Sequence, residues 1–142
     1  MRRPMTHDEW RAFLAEGTRT GKLSTVRRDG RPHVVPIWFV LDGDDLVFTT
    51  GGRTVKAHAM RRDPRVAVCV DDERPPYAFV TVEGLARLSE DPAELLRFAT
   101  EIGGRYMGAG RADEYGRRNA VPGEVLVRVT PADVLALADI AG

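Results

Sequence analysis

Residues 22–50 read KLSTVRRDGRPHVVPIWFVLDGDDLVFTT. Three runs rich in Val, Leu, Ile and Phe are separated by Asp29-Gly30 and Asp42-Gly43. Asp-Gly between apolar runs is the chemistry of a tight hairpin, because glycine takes positive φ without steric cost. The stretch therefore predicts three strands joined by two tight turns, an antiparallel meander. Pro32 and Pro36 carry no amide donor, so the middle strand, PHVVPIWFVL, is expected to be bulged or partly unpaired. Such departures from a ladder recur beside binding sites.

Working outward, THDEWRAFLAE has Thr6 with Glu9 three residues on, a capping-box pattern. Trp10, Phe13 and Leu14 then share a helical face, and Gly17 is a plausible stop. Thr54 to Arg62 predicts a short helix with Val55, Ala59 and Arg62 on one face, stopped by Asp63-Pro64. RVAVCVDD and YAFVTVEGLARL read as strands, the second with a bulge at Gly84. Asp91 is placed as N-cap of another helix, with Pro92 at its first position and Leu95, Phe98, Ala99 and Ile102 as its apolar stripe. Gly103 to Pro122 reads as a loop with some helix. EVLVRV is a sixth strand, and VLALADI, after Pro131, a last strand or short helix. Six to seven antiparallel strands with about three inserted helices define an α+β class, and such a sheet can close as a small barrel.

The 142 residues suit one domain, residues 1–142. A 43% hydrophobic and 30% charged composition is that of a globular chain. Formal net charge is +0, which argues against nucleic-acid binding. The single Cys69 allows no internal disulfide and points to a reducing cytoplasm; within VAVCV it reads as a small core residue. MRRPMTHDEW has no apolar signal region and no run reaches membrane-spanning length.

The stretch from Thr49 to Met60, TTGGRTVKAHAM, places hydroxyls and cations where a strand turns into a helix. Backbone amides at a helix N-terminus, threonine hydroxyls and the cations Arg53 and Lys56 would together cradle a phosphate. The same residues also suit a Gly-Gly turn before a cationic surface helix, and spacing does not choose between the two. It is not a P-loop, since GxxxxGK[ST] is absent. His7, His33 and His58 have no cysteine or carboxylate at metal-ligand spacing, so no metal is expected. Ser24 and Ser89 lie outside any GxSxG setting. With no nucleophile or acid–base dyad in view, hard chemistry would belong to a cofactor.

Taken together, DGRPHVVPIWF, GDDLVFTT, RTVKAHAMRRDPRVAV and PPYAFVTVEGLARL resemble the pyridoxamine-phosphate-oxidase-like split-β-barrel proteins, in particular the actinobacterial F420-dependent reductases. The resemblance implies an α+β split β-barrel that binds the deazaflavin F420, with FMN as the alternative cofactor. It implies phosphate binding by Thr49, Thr50, Arg53, Thr54, Val55 and Lys56, with Pro36, Ile37 and Trp38 against the tricyclic ring. It implies a homodimer with the cofactor in a groove between protomers, to which the partner contributes a residue near Tyr77 and parts of the later loop. It also implies hydride transfer from reduced F420 to a conjugated or electron-poor small molecule. A non-catalytic carrier of F420, flavin or tetrapyrrole is the other function this fold suggests. The polyglutamate tail of F420 would need a cationic groove, for which Arg27, Arg28, Arg61 and Arg117 are candidates.

Overall fold

A computed structural model describes residues 1–142. Its elements in chain order are β1 (Arg3–Pro4), α1 (His7–Ala15), β2 (Gly21–Val26), β3 (Pro32–Ile37), β4 (Val40–Asp42), β5 (Asp45–Gly51), α2 (Val55–Arg62), β6 (Arg65–Asp72), β7 (Ala78–Ser89), α3 (Pro92–Met107), a 3₁₀ turn (Ala109–Arg111), α4 (Ala112–Asn119) and β8 (Glu124–Ala138). The class is α+β as expected, with eight strands and four α-helices. β1 is a two-residue addition beside β8. The single middle strand expected from PHVVPIWFVL is instead two, β3 and β4. The two Asp-Gly hairpins form but the three-strand meander does not, β3 pairing only with β2 and β4 only with β5.

All strand pairings are antiparallel, and the main path runs β3-β2-β6-β7-β8-β5-β4. The two end strands, β3 and β4, are consecutive in the chain and joined only by Trp38 and Phe39. Two linking residues reach no further than roughly 11 Å. The outer strands of a flat sheet with this path would lie roughly 29 Å apart, at about 4.8 Å per strand. The sheet must therefore curl until its free edges approach, giving a barrel with a slit. Its interior is filled from every wall by residues such as Leu23, Phe39, Phe48, Val68, Val82 and Val127, all fully buried.

The prolines are accommodated without a bulge in β3. Its register with β2 is unbroken from Gly21 opposite Ile37 to Val26 opposite Pro32. As an end strand β3 has a free side, and prolines four residues apart face the same side of a ladder. The expected bulge at Gly84 is present, as a register shift between Glu83 and Gly84. A Cβ on Gly84 would collide with the Thr130 carbonyl. Pro131 lies opposite this point, so the chain passes through it as one strand, β8, rather than stopping at EVLVRV.

Helix starts follow the sequence. Thr6 and Glu9 form the reciprocal capping box, Glu9 N to Thr6 Oγ1 at 3.2 Å and Thr6 N to Glu9 Oε1 at 3.0 Å. Asp91 caps α3 through the Ala93 amide at 3.0 Å. Three expectations are corrected. Residues 103–122 are mostly helical, because their glycines serve close packing: a Cβ on Gly103 would meet Tyr115, and one on Gly116 would meet Thr100. The buried face of α2 is Ala57, Ala59 and Met60, whereas Val55 is half exposed. Cys69 is only partly buried, because in β6 the alternation sends Val66, Val68 and Val70 inward instead.

The end of α3 fastens the Trp38–Phe39 crossing. Arg105 donates to the carbonyls of Phe39 (2.6 Å), Leu14 (2.7 Å) and Gly17 (2.9 Å). Tyr106 Oη accepts from the Phe39 amide (3.2 Å) and donates to the Arg19 carbonyl (2.8 Å). Its ring stacks on Trp38, centroids 5.0 Å apart and planes within 3°. Tyr106→Phe keeps the stack but leaves the Phe39 amide without a partner. It should cost about 1–3 kcal/mol in chemical denaturation, with little change in native tryptophan fluorescence; an unchanged stability would show that the hydroxyl does not fasten the crossing.

Candidate functional site

Strand β5 ends at Gly51, opposite Glu124 at the start of β8. The chain then reverses through Gly52 and Arg53 into α2. The Gly52 amide donates to the Gly123 carbonyl at 2.8 Å, and a Cβ on Gly52 would come within 3.0 Å of that oxygen. Thr54 is the N-cap of α2: its Oγ1 accepts from the Ala57 amide (3.3 Å) and donates to the Gly51 carbonyl (2.9 Å). Thr50 is buried with its Oγ1 3.3 Å from that of Thr54. These two hydroxyls build the turn and aim the helix. The Val55 and Lys56 amides, ahead of the capped Ala57, stay outside the helical ladder.

Two adjoining hollows meet at this corner. One, of about 310 Å³, is lined by Pro36, Ile37 and Trp38 from the crossing and by Thr49, Lys56 and Glu124. The other, of about 840 Å³, is lined by Gly51, Arg53, Thr54, His58, Arg61 and Glu124. Seven of the ten residues named from the sequence thus line one or other hollow. Thr50 lies buried beneath them, and Val55 sits half exposed between Thr54 and Lys56. Tyr77 does not join them within one chain. It adopts φ +66° and lines a separate cavity of about 530 Å³ with Arg3, Glu9 and Phe13. Of the four arginines considered for an anionic tail, only Arg61 lines the groove, and it donates to the Gly52 carbonyl at 2.5 Å.

Two cations at the site are uncommitted: neither Arg53 nor Lys56 has a carboxylate within 4.0 Å or a hydrogen-bond acceptor in the chain. Partial burial lowers the Lys56 pKa, with Glu124 pulling it back up. Burial raises the Glu124 pKa, with Lys56 pulling it back down. Glu124 Oε2 is buried and has no hydrogen-bond partner. The sequence reading missed Glu124, because only the register that sets it opposite Gly51 brings it to this corner. It also missed Arg105 and Tyr106, which hold the Trp38 wall in place.

This donor set fits a phosphorylated, flat-ringed group. Trp38, Ile37 and Pro36 offer an apolar wall; Arg53, Lys56, the Thr49 hydroxyl and the leading amides of α2 offer an anion cradle with the helix dipole behind it.

Residues 6–138 match the model of the pyridoxamine 5'-phosphate oxidase family, and the chain belongs to that family. Among solved structures, a conserved hypothetical protein from Mycobacterium tuberculosis superposes with a TM-score of 0.84 at 26% identity, covering 95% of this chain and 86% of that one. A protein described as an F420 reductase is 32% identical, with a TM-score of 0.68 over 87% of this chain and 94% of its own. General stress protein 26 of Bacillus anthracis is 25% identical, with a TM-score of 0.69 over 92% of this chain and 94% of its own. The fold is therefore that of the flavin and deazaflavin oxidoreductase-like split barrels. No helix is long and apolar enough to cross a membrane.

The partly buried Glu124 carboxylate has a consequence for stability. Its folded pKa is raised above its unfolded value, so its contribution is present below about pH 4.3 and is lost as pH rises through the folded pKa. A glutamine carries no such dependence. Without ligand, Glu124→Gln should melt close to wild type near pH 4 and above it at pH 7–8. A difference that does not grow with pH would contradict the burial of this charge.

Proposed function

We propose that this chain is an F420-dependent oxidoreductase, passing hydride from reduced F420 to a conjugated or electron-poor small molecule of the quinone, tetrapyrrole or lactone type. The observation that carries the reading is one groove joining the Pro36-Ile37-Trp38 wall to Thr49 and Lys56. The family match and the 32% identity to a protein described as an F420 reductase support it.

The bound cofactor would supply the hydride chemistry. The chain's own residues bind and orient. Lys56 and Arg53, free of internal partners, hold the phosphate as a point charge and a fork. Trp38, held by its stack on Tyr106, would offer the ring a flat apolar wall. Ile37 and Ile102, both buried, keep water from the inner side. FMN in place of F420 would use the same wall and cradle. Titration of the protein with each cofactor separates them: tight FMN binding with no response to F420 would overturn the deazaflavin reading. Cofactor oxidation that needs both the protein and an acceptor would exclude a pure carrier.

The proposal includes a cytoplasmic homodimer with the cofactor between protomers, which would bring the partner's segment near Tyr77 to the groove. Val34, Leu85 and Leu135 are large apolar side chains more than half exposed on the sheet, a surface a second copy would cover. An obligate pair buries more than roughly 2,000 Å² in total. Sedimentation should show a dimer at micromolar concentration; a stable monomer would remove half of the proposed groove.

Lys56→Ala should weaken cofactor binding about tenfold to hundredfold, the scale of a hydrogen bond to a charged group. The melting temperature without cofactor should stay near wild type, because the ammonium has no partner in the chain. Lys22→Ala is the control. Lys22 pairs with Asp71 at 3.0 Å and lines neither hollow. Equal loss in both variants, or none in Lys56→Ala, would leave the Thr49–Met60 segment as a turn and a surface helix only.

A further inference from the structure

Glu124 is an anomaly in an anion cradle. A carboxylate beside a phosphate site repels the ligand, yet Glu124 lines both hollows and is the residue they share. It is not neutralised by an ion pair: Lys56 influences its charge, but no ammonium nitrogen lies within 4.0 Å of it. Its Oε2 is out of water and accepts no hydrogen bond. A buried acceptor without a donor is costly, and it is retained where something else supplies the donor.

The Glu124 backbone is held on two sides. Glu124 is the first residue of β8, its amide donates to the Val121 carbonyl at 3.1 Å, and its backbone lies opposite Gly51. The polar side chains around it in the wider hollow are Arg53, Thr54, His58, Arg61 and Glu90, and in the narrower one Thr49, Lys56 and Asn119. Arg61 is directed to the Gly52 carbonyl, and none of the others hydrogen-bonds to the free oxygen. A ligand lying across both hollows would be placed to supply the missing donor.

On the cofactor reading above, a ligand with its ring on the Trp38 wall and its phosphate at Arg53 and Lys56 lies across both hollows, with the linker between ring and phosphate. A phosphate end brings acceptors, and a ring on an apolar wall buries its face. Hydroxyl groups along a polyol linker are donors at the right place. We propose that Glu124 is a specificity residue that accepts a hydrogen bond from a linker hydroxyl, selecting a ring carried on a polyhydroxylated chain over one carried on an alkyl chain. The inference rests on the cofactor reading but concerns a separate part of the ligand.

Three probes read this through the change in chromophore fluorescence on binding: F420, its phosphate-free chromophore with the ribityl chain, and the same ring with methyl in place of that chain. Glu124→Leu should weaken the first two about tenfold or more and leave the third unchanged. Glu124→Gln keeps an accepting oxygen and should bind all three within about threefold of wild type. Lys56→Ala should weaken F420 alone, which separates the phosphate from the linker. If Glu124→Leu does not fold, Glu124→Ala carries the same expectation. Binding of F420 by the Leu or Ala variant as tight as wild type, or tighter, would overturn the role of Glu124 and leave the cofactor reading standing. Equal weakening of all three probes would overturn it too, as a general loss of the groove. If wild type binds no probe, both readings fall.

Discussion

The two-residue crossing at Trp38–Phe39 is the constraint on which this structure depends. It ties one free edge of the sheet to the other, so the sheet must curl, and the curl creates the interior that the chain fills. A short crossing of this kind exposes backbone polar groups at a place where no strand can pair with them. Arg105 and Tyr106 supply those partners from the end of α3. Arg105 does so as a partly buried cation with no carboxylate beside it, and burial lowers its pKa. Its charge is met by carbonyl dipoles instead, including Leu14 and Gly17 at the C-terminal end of α1. One side chain thus joins α1, α3 and the slit of the barrel.

The same crossing forms one wall of the site. Successive residues of an extended chain face opposite ways, so a buried Phe39 in the core obliges Trp38 to face out. Trp38 is then steadied by its stack on Tyr106, the residue that also holds the Phe39 amide. The flat wall and the closed barrel are two results of one arrangement. On the other side of the groove, Thr54 directs its hydroxyl to the backbone, with the Thr50 hydroxyl against it, and so fixes the direction of α2, leaving Lys56 free to face the hollow.

Charge is distributed with the same economy. Many arginines are matched locally: Arg65 with Asp63 at 2.7 Å, Arg74 with Asp72 at 3.0 Å, Arg128 with Asp42 at 2.8 Å. The exposed ones, Arg65 with Asp63 and Arg74 with Asp72, contribute little to stability but cancel the surface field, whereas the Arg128 pair is partly buried. Arg53 and Lys56 remain unmatched at a helix N-terminus, where an anion is favoured twice over. Glu124, raised in pKa by burial, is the opposite case, an acceptor held out of water beside them.

The sequence by itself determined the elements whose signals are local. Asp-Gly turns, the Thr6–Glu9 and Asp91 caps, the Asp63-Pro64 stop and the strand character of RVAVCVDD depend on neighbours a few positions away, and they reappear in the structure at those places. The turn-and-helix corner from Thr49 to Lys56 is contiguous, so its cations and hydroxyls could be named from the chain. Tertiary structure decided what depends on register and closure. It placed the two prolines of β3 on a free edge, carried β8 through Pro131 at a bulge, and turned the glycines after residue 102 into helix contacts. It set Trp38 against Lys56, and it brought Glu124 from 68 positions away to line both hollows, while leaving Tyr77 in another cavity. Those placements follow from the short link between the two ends of the sheet, a geometric condition that no window of local sequence expresses.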